Sequence, residues 1–137
     1  MARLSVRACN AAVQAVGGLA DAGTTPGTIE VRTGAQPATP ESTADGTLLA
    51  TFVLNDPAFA TAASGSVSID VSIGVMATGV ADGDAGWSRM LDSDGHVVMD
   101  ATVSAIEGTA DLILNTITVT TGLDLFLYSL DLTMPTT

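Results

Sequence analysis

From Thr28 onward the apolar residues of this chain recur at every second position, in short runs separated by turn-forming residues. A period of two sends one side chain toward a core and the next toward water, which is the geometry of a half-buried strand and not of a helix. The strictest example is Val67, Ile69, Val71 and Ile73, set between Ser66, Ser68, Asp70 and Ser72. Ile29 and Val31 alternate with Glu30 and Arg32 in the same way, and a second strand is expected at Leu48–Leu54. Further strands are predicted at Gly86–Leu91, His96–Val103, Leu112–Thr120 and Leu123–Leu132. In the last, Leu123, Leu125 and Leu127 give way to Leu130 and Leu132, so the parity changes and a bulge or bend is predicted near Ser129. Thr116, Thr118 and Thr120 form a β-branched polar face opposite Ile117 and Val119. Asn55-Asp56-Pro57 and Asp92-Ser93-Asp94-Gly95 carry turn chemistry, the latter as a hairpin. The segment Gly34–Gly46, with Pro37 and Pro40, reads as a long exposed loop. Short strands with turn signals roughly every 8–12 residues predict an all-β domain. The expected form is a β-sandwich, jelly-roll-like or Ig-like, of about eight strands.

The first part of the chain has a different rhythm. Arg3, Arg7, Asn10, Gln14, Gly18 and Asp21 recur at spacings of three and four, and Leu4, Val6, Ala8, Cys9, Val13, Val16 and Leu19 fill the remaining turns. This predicts one amphipathic helix over residues 3–21, weakened at Gly17-Gly18 and stopped by Gly23–Gly27 with Pro26. The organisation expected is thus a helix and linker over 1–27, packed on or next to a β domain over 28–137. The helix either covers its own sandwich or meets a neighbour, and the pattern leaves both open. Arg3 and Arg7 before an Ala/Val stretch mimic a secretory leader, but Arg7, Asn10 and Gln14 interrupt any apolar segment, so none is expected.

Charge narrows the function. Only 14% of the 137 residues are charged, there is no lysine, and four arginines stand against fifteen carboxylates for a net charge of −11. Phosphate contacts need clusters of Lys and Arg, so nucleic acid is not an expected partner, and neither is an anionic membrane. No apolar run reaches the roughly 18 residues of a spanning helix. A charge-poor chain that is 47% hydrophobic points to burial by self-association as a homo-oligomer.

No motif carries chemistry. His96 is the only histidine and directly follows a hairpin turn, and Cys9, the only cysteine, lies on the predicted helix as a small buried hydrophobe. There is no nucleophile elbow, phosphate loop or zinc-protease motif. Asp92-x-Asp94-Gly95 is a fragment of a calcium loop, but the glycine comes too early and the residue five beyond it is Asp100, so a turn is expected and no metal. The carboxylates do not read as a glycosidase pair, since Trp87 is the one aromatic near them; Trp87 reads as a core or interface anchor. No enzymatic activity and no cofactor are predicted. The candidate protein contacts are Leu4, Val13 and Val16 on the helix, Pro37 and Pro40 on the loop, and Trp87.

Several segments in order resemble a family of small structural proteins encoded among phage and prophage genes. They are Arg32-Thr33-Gly34 with Gln36-Pro37-Ala38-Thr39-Pro40, Gly46-Thr47-Leu48-Leu49-Ala50, Asn55-Asp56-Pro57-Ala58-Phe59, Gly86-Trp87-Ser88-Arg89, Asp92-Ser93-Asp94-Gly95, Asp111-Leu112-Ile113-Leu114-Asn115 and Thr133-Met134-Pro135. The chain departs from that pattern at Val97–Glu107 and at Leu123–Tyr128, where it is more apolar. The resemblance implies an all-β virion component without catalysis, and in first place a capsid decoration, or cement, protein on the outer capsid surface. The major capsid protein would then be its partner and a trimer its favoured state. A tail or head–tail joining subunit is the alternative, and a carbohydrate-binding module on the virion surface is an alternative of another class.

Overall fold

A computed structural model describes residues 2–134. The chain is mostly β, with one helix at its N-terminal end. Helix α1 spans Val6–Gly18 and runs into a 3-10 turn at Leu19–Asp21. The strands are β1 (Thr28–Arg32), β2 (Leu48–Val53), β3 (Ser66–Ser68), β4 (Met76–Thr78), β5 (Gly83–Asp84), β6 (Trp87–Leu91), β7 (Val97–Ala105), β8 (Leu112–Leu114), β9 (Thr118–Val119) and β10 (Asp124–Thr133). The main sheet has the order β2-β1-β6-β7-β8-β10-β3, with β4 also paired to β10, while β5 and β9 form a separate ladder. This sheet curls into a half-barrel, and a backbone hydrogen bond from Val80 N–H to the Leu49 carbonyl ties the turn after β4 to β2.

The alternation does what period two requires. In β1, Ile29 and Val31 are buried while Thr28, Glu30 and Arg32 are half-buried on the outer side. Phe52, Leu49, Met90, Leu112, Leu114, Leu125 and Leu130 fill the concave side with them. Each side chain of this size stabilises the fold by about 1.5–3 kcal/mol when withdrawn from water. The Asp92–Gly95 hairpin joins β6 to β7, with Gly95 at φ +86°. The parity change in β10 is taken up by a register shift between Leu127 and Ser129 against β8.

The helix lies on the sheet. Ser5 caps it by accepting from the Ala8 N–H, so residues 2–5 precede it as an irregular arm. Cys9, Val13 and Gly17 are its buried residues. Asn10 accepts from the Gly65 N–H, Gln14 from the Ala62 N–H, and Asp21 from the Ala58 N–H, which fixes the helix across the β3 end of the sheet. A Cβ on Gly17 would approach the Phe59 ring to 3.2 Å, so the small residue sets how closely the two elements pack.

Three expectations change. The alternating run at 66–73 pairs as a strand only over Ser66–Ser68. Asp70 Oδ1 accepts from the Ser72 N–H, Gly74 N–H donates to the Val71 carbonyl, and the resulting turn leaves Ile73 82% exposed. The single strand expected at Leu112–Thr120 is two, because Thr116 Oγ1 accepts from the Thr118 N–H and bends the chain between β8 and β9. The helix starts three residues later than its polar spacing suggests.

Candidate functional site

Strand β6 is buried on both faces, which a strand at the surface of a curled sheet is not unless something covers it. Ser88 and Met90 point one way and Trp87 and Arg89 the other. The register places Glu30, Arg89 and Asp100 side by side on that outer face. Arg89 Nε and Nη2 donate to the two Asp100 oxygens at 2.7 and 2.9 Å, and Nη1 donates to the Ser42 carbonyl at 2.8 Å. The guanidinium also sits 5.2 Å from the centre of the Trp87 ring. These side chains are nearly inaccessible, 5% for Arg89 and 1% for Asp100. The Asp100 hydrogen bonds hold the Arg89 pKa above its ordinary value. Arg32 Nη1 reaches the Gly46 carbonyl, and Thr33 Oγ1 accepts from Thr47 N–H. The Pro-rich loop is therefore strapped down at Ser42 and at its far end, and a Cβ on Gly86 would fall on the Gly34 carbonyl. The loop is exposed along most of its length, but it is anchored.

The candidate contacts divide accordingly. Leu4, Val16 and Pro40 are exposed, Pro37 is half-buried, and Val13 and Trp87 are enclosed by the chain itself. The structure does not bring the six together: the helix residues lie at the β3 end, and the loop residues lie over β1 and β6.

The second constellation is the β6–β7 hairpin. Ligand atoms of Asp92, Asp94 and His96 lie within 4.8 Å of one another. Asp92 Oδ1 already accepts from the N–H groups of Asp94 and His96, and Oδ2 lies 3.1 Å from His96 Nδ1. The Asp92 pKa is lowered, first by the His96 backbone N–H, against the opposing effect of burial. Three protein groups, one of them spent on its own backbone, fall short of the six to eight oxygens that calcium takes. The Asp92–His96 contact resembles the orienting half of a catalytic triad, which needs a nucleophile at the other ring nitrogen. Among the described residues the His96 ring bonds to Asp92, and the ring is 78% exposed.

Two features were hidden in the sequence. Phe126 and Tyr128 occupy outward positions of β10, and Phe126 faces Met76 of β4 across the ladder. With Met76, which is also exposed, they make an outward apolar strip. The signal was available, since the residues between Leu123, Leu125 and Leu127 are not uniformly polar. The other feature is a cavity of about 400 Å³ between β7 and β10, lined by Met99–Ala101, Asp111 and Leu130–Thr133. Among the described residues no helix is long and apolar enough to cross a membrane. Comparison with known proteins finds no matching family model, no similar curated protein and no similar solved structure.

Proposed function

We propose that this chain is a structural, non-enzymatic subunit of a bacteriophage particle, bound to the outer capsid surface and stabilising the shell. The observation that carries the protein-binding part is the exposed strip of Met76, Phe126 and Tyr128 on a domain whose other aromatic anchor, Trp87, is fully enclosed. Exposed apolar groups in one place mark a surface made for another protein. The capsid as that protein rests on the ordered segments that resemble phage decoration proteins. The jelly-roll-like or Ig-like sandwich form belongs to the same proposal, with the two arms of the curled sheet as its layers. So do the homo-oligomer and the preference for a trimer. A net charge of −11 sets the subunit against the DNA side of the shell. The carbohydrate-binding alternative loses the residue on which it was built, because Trp87 offers no free face to a sugar ring.

The test is co-sedimentation of the purified chain with particles that lack it. Binding should persist at high salt, because an apolar contact with few arginines is little screened. Phe126→Asp should weaken it at least about tenfold, the effect of losing a buried interface anchor. Absence of binding, or label found on tails alone, would move the proposal to the tail or head–tail alternative.

A further inference from the structure

Strands β7 and β10 both pair with β8, one on each side. Yet β8 is three residues long and the strands flanking it are nine and ten. Its first residue, Leu112, pairs with Val103 and with Leu130. Before that point β8 is missing, and the chain reaches it from the β7–β8 connection. Val97–Thr102 thus pair with β6 on one side and with no described strand on the other, and among the described residues Asp131–Thr133 pair with β3 alone. The two strands are held two strand spacings apart by β8, about 9–10 Å, with the cavity between them. That gap is one strand wide.

The backbone groups lining it can be identified by parity. Thr102 N–H turns toward Asp111, on the β8 side, so Asp100 turns the same way, and the alternation ends at the register shift beyond Met99. The Leu130 carbonyl accepts from Ile69 on the β3 side, so Asp131 faces the gap. Unpaired strand edges recruit another extended segment when one fits. The exposed charges at the rim, Asp111 and Asp131, are negative.

The chain has few segments that could answer this. Of its four arginines, Arg32 is bonded to Glu30 and the Gly46 carbonyl, and Arg89 to Asp100 and Ser42. Arg3 and Arg7 remain, both exposed: Arg3 lies within an arm that has no regular structure over residues 2–5 and carries Leu4 half in water, and Arg7 lies in the first turn of α1 just beyond it. Four extended residues span about 13 Å, the length of the open edge beside Val98–Ala101.

We propose that the arm Ala2–Ser5 of a second copy of this chain inserts as a strand between β7 and β10, continuing β8, with Leu4 turned to the cavity and Arg3 against Asp131. The contact is head-to-tail, so it closes into a ring or runs on as a filament according to its rotation. It rests on the placement of these residues and not on the capsid reading; the isolated protein tests it.

Two exposed substitutions give the decisive experiment, with thermal melts to confirm that each variant folds. The full chain should associate with rising concentration in sedimentation. Arg3→Asp alone and Asp131→Arg alone should each raise the dissociation constant by about tenfold, as attraction becomes repulsion. An equimolar mixture of the two variants should regain association, since each arm then meets a slot of opposite charge on the other variant. A chain lacking residues 2–4 but keeping the Ser5 cap should sediment as a monomer. Amide exchange at Asp100 and Asp131 should slow on association. A full chain that stays monomeric, association that survives loss of residues 2–4, or a mixture no better than either variant would overturn the proposal.

Discussion

Arg89 and Asp100 cannot be changed one at a time without consequence. Their side chains are 5% and 1% exposed, and each neutralises a charge that the other would leave stranded. Removing one member of a buried pair costs about 3–5 kcal/mol, far above the value of a surface bridge. Arg89→Ala should therefore lower unfolding free energy in urea by about that amount and open the loop around Ser42 to protease. Unchanged stability with an intact loop would contradict the role assigned to Arg89. Asp92 makes a different prediction. Its carboxyl titrates below the ordinary range in the folded chain, chiefly because the His96 N–H donates to it. The stability this confers is present above the unfolded value of about 3.9 and is lost as pH falls through the lower folded value. The stability gap between wild type and Asp92→Asn should shrink as pH drops below about 4; a gap constant into stronger acid would show that the bond is not what holds the hairpin. Parity in Gly86-Trp87-Ser88-Arg89 was legible in the sequence. That Trp87 and Arg89 lie on an outer face yet are enclosed was not, because the covering loop comes from residues more than forty positions away.

Elements were legible where their hydrogen bonds were backbone to backbone and misread where side chains intervened. The run from Val67 to Ile73 alternates perfectly, but Asp70 offers its carboxylate to the Ser72 N–H and diverts the chain into a turn. Thr116 does the same to the run between Leu112 and Thr120. Period alone does not register such competition, since Asp and Thr satisfy a polar position equally well in a strand or a turn. The short strands Met76–Thr78 and Gly83–Asp84 were missed because two or three residues carry no measurable period. For the helix, the sequence left two roles open, and three polar side chains and a small-residue face settle its place on the sheet. Asn10→Ala with Gln14→Ala removes two of those bonds, each worth about 1 kcal/mol. The α1 amides should then exchange faster while those of β1 and β6 keep their protection. Equal acceleration in helix and sheet would mean that they unfold as one unit and that these bonds are not the hinge between them.

The β-rich character followed from the alternating runs of the sequence, while the curl of the sheet did not. Curl depends on which strands pair, and β8, which separates β7 from β10, is too short to announce itself. For the surface behind the proposed structural role, the apolar Phe126 and Tyr128 were legible, but their meeting with Met76 was not, since it depends on pairing between β4 and β10. Charge was legible throughout: four arginines, no lysine and fifteen carboxylates leave few groups with which to hold phosphate, which is why the proposed contact is an apolar one that salt should screen little. A subunit that binds only the assembled shell lowers the free energy of that shell by mass action, and an oligomer that touches several capsid proteins does so with linked sites. The direct measurement is genome release on heating from particles that lack this protein, with and without the purified chain added. Added chain should bind the shell and raise the release temperature, and Phe126→Asp should do neither; release at the same temperature with and without bound chain would contradict a stabilising role on the capsid.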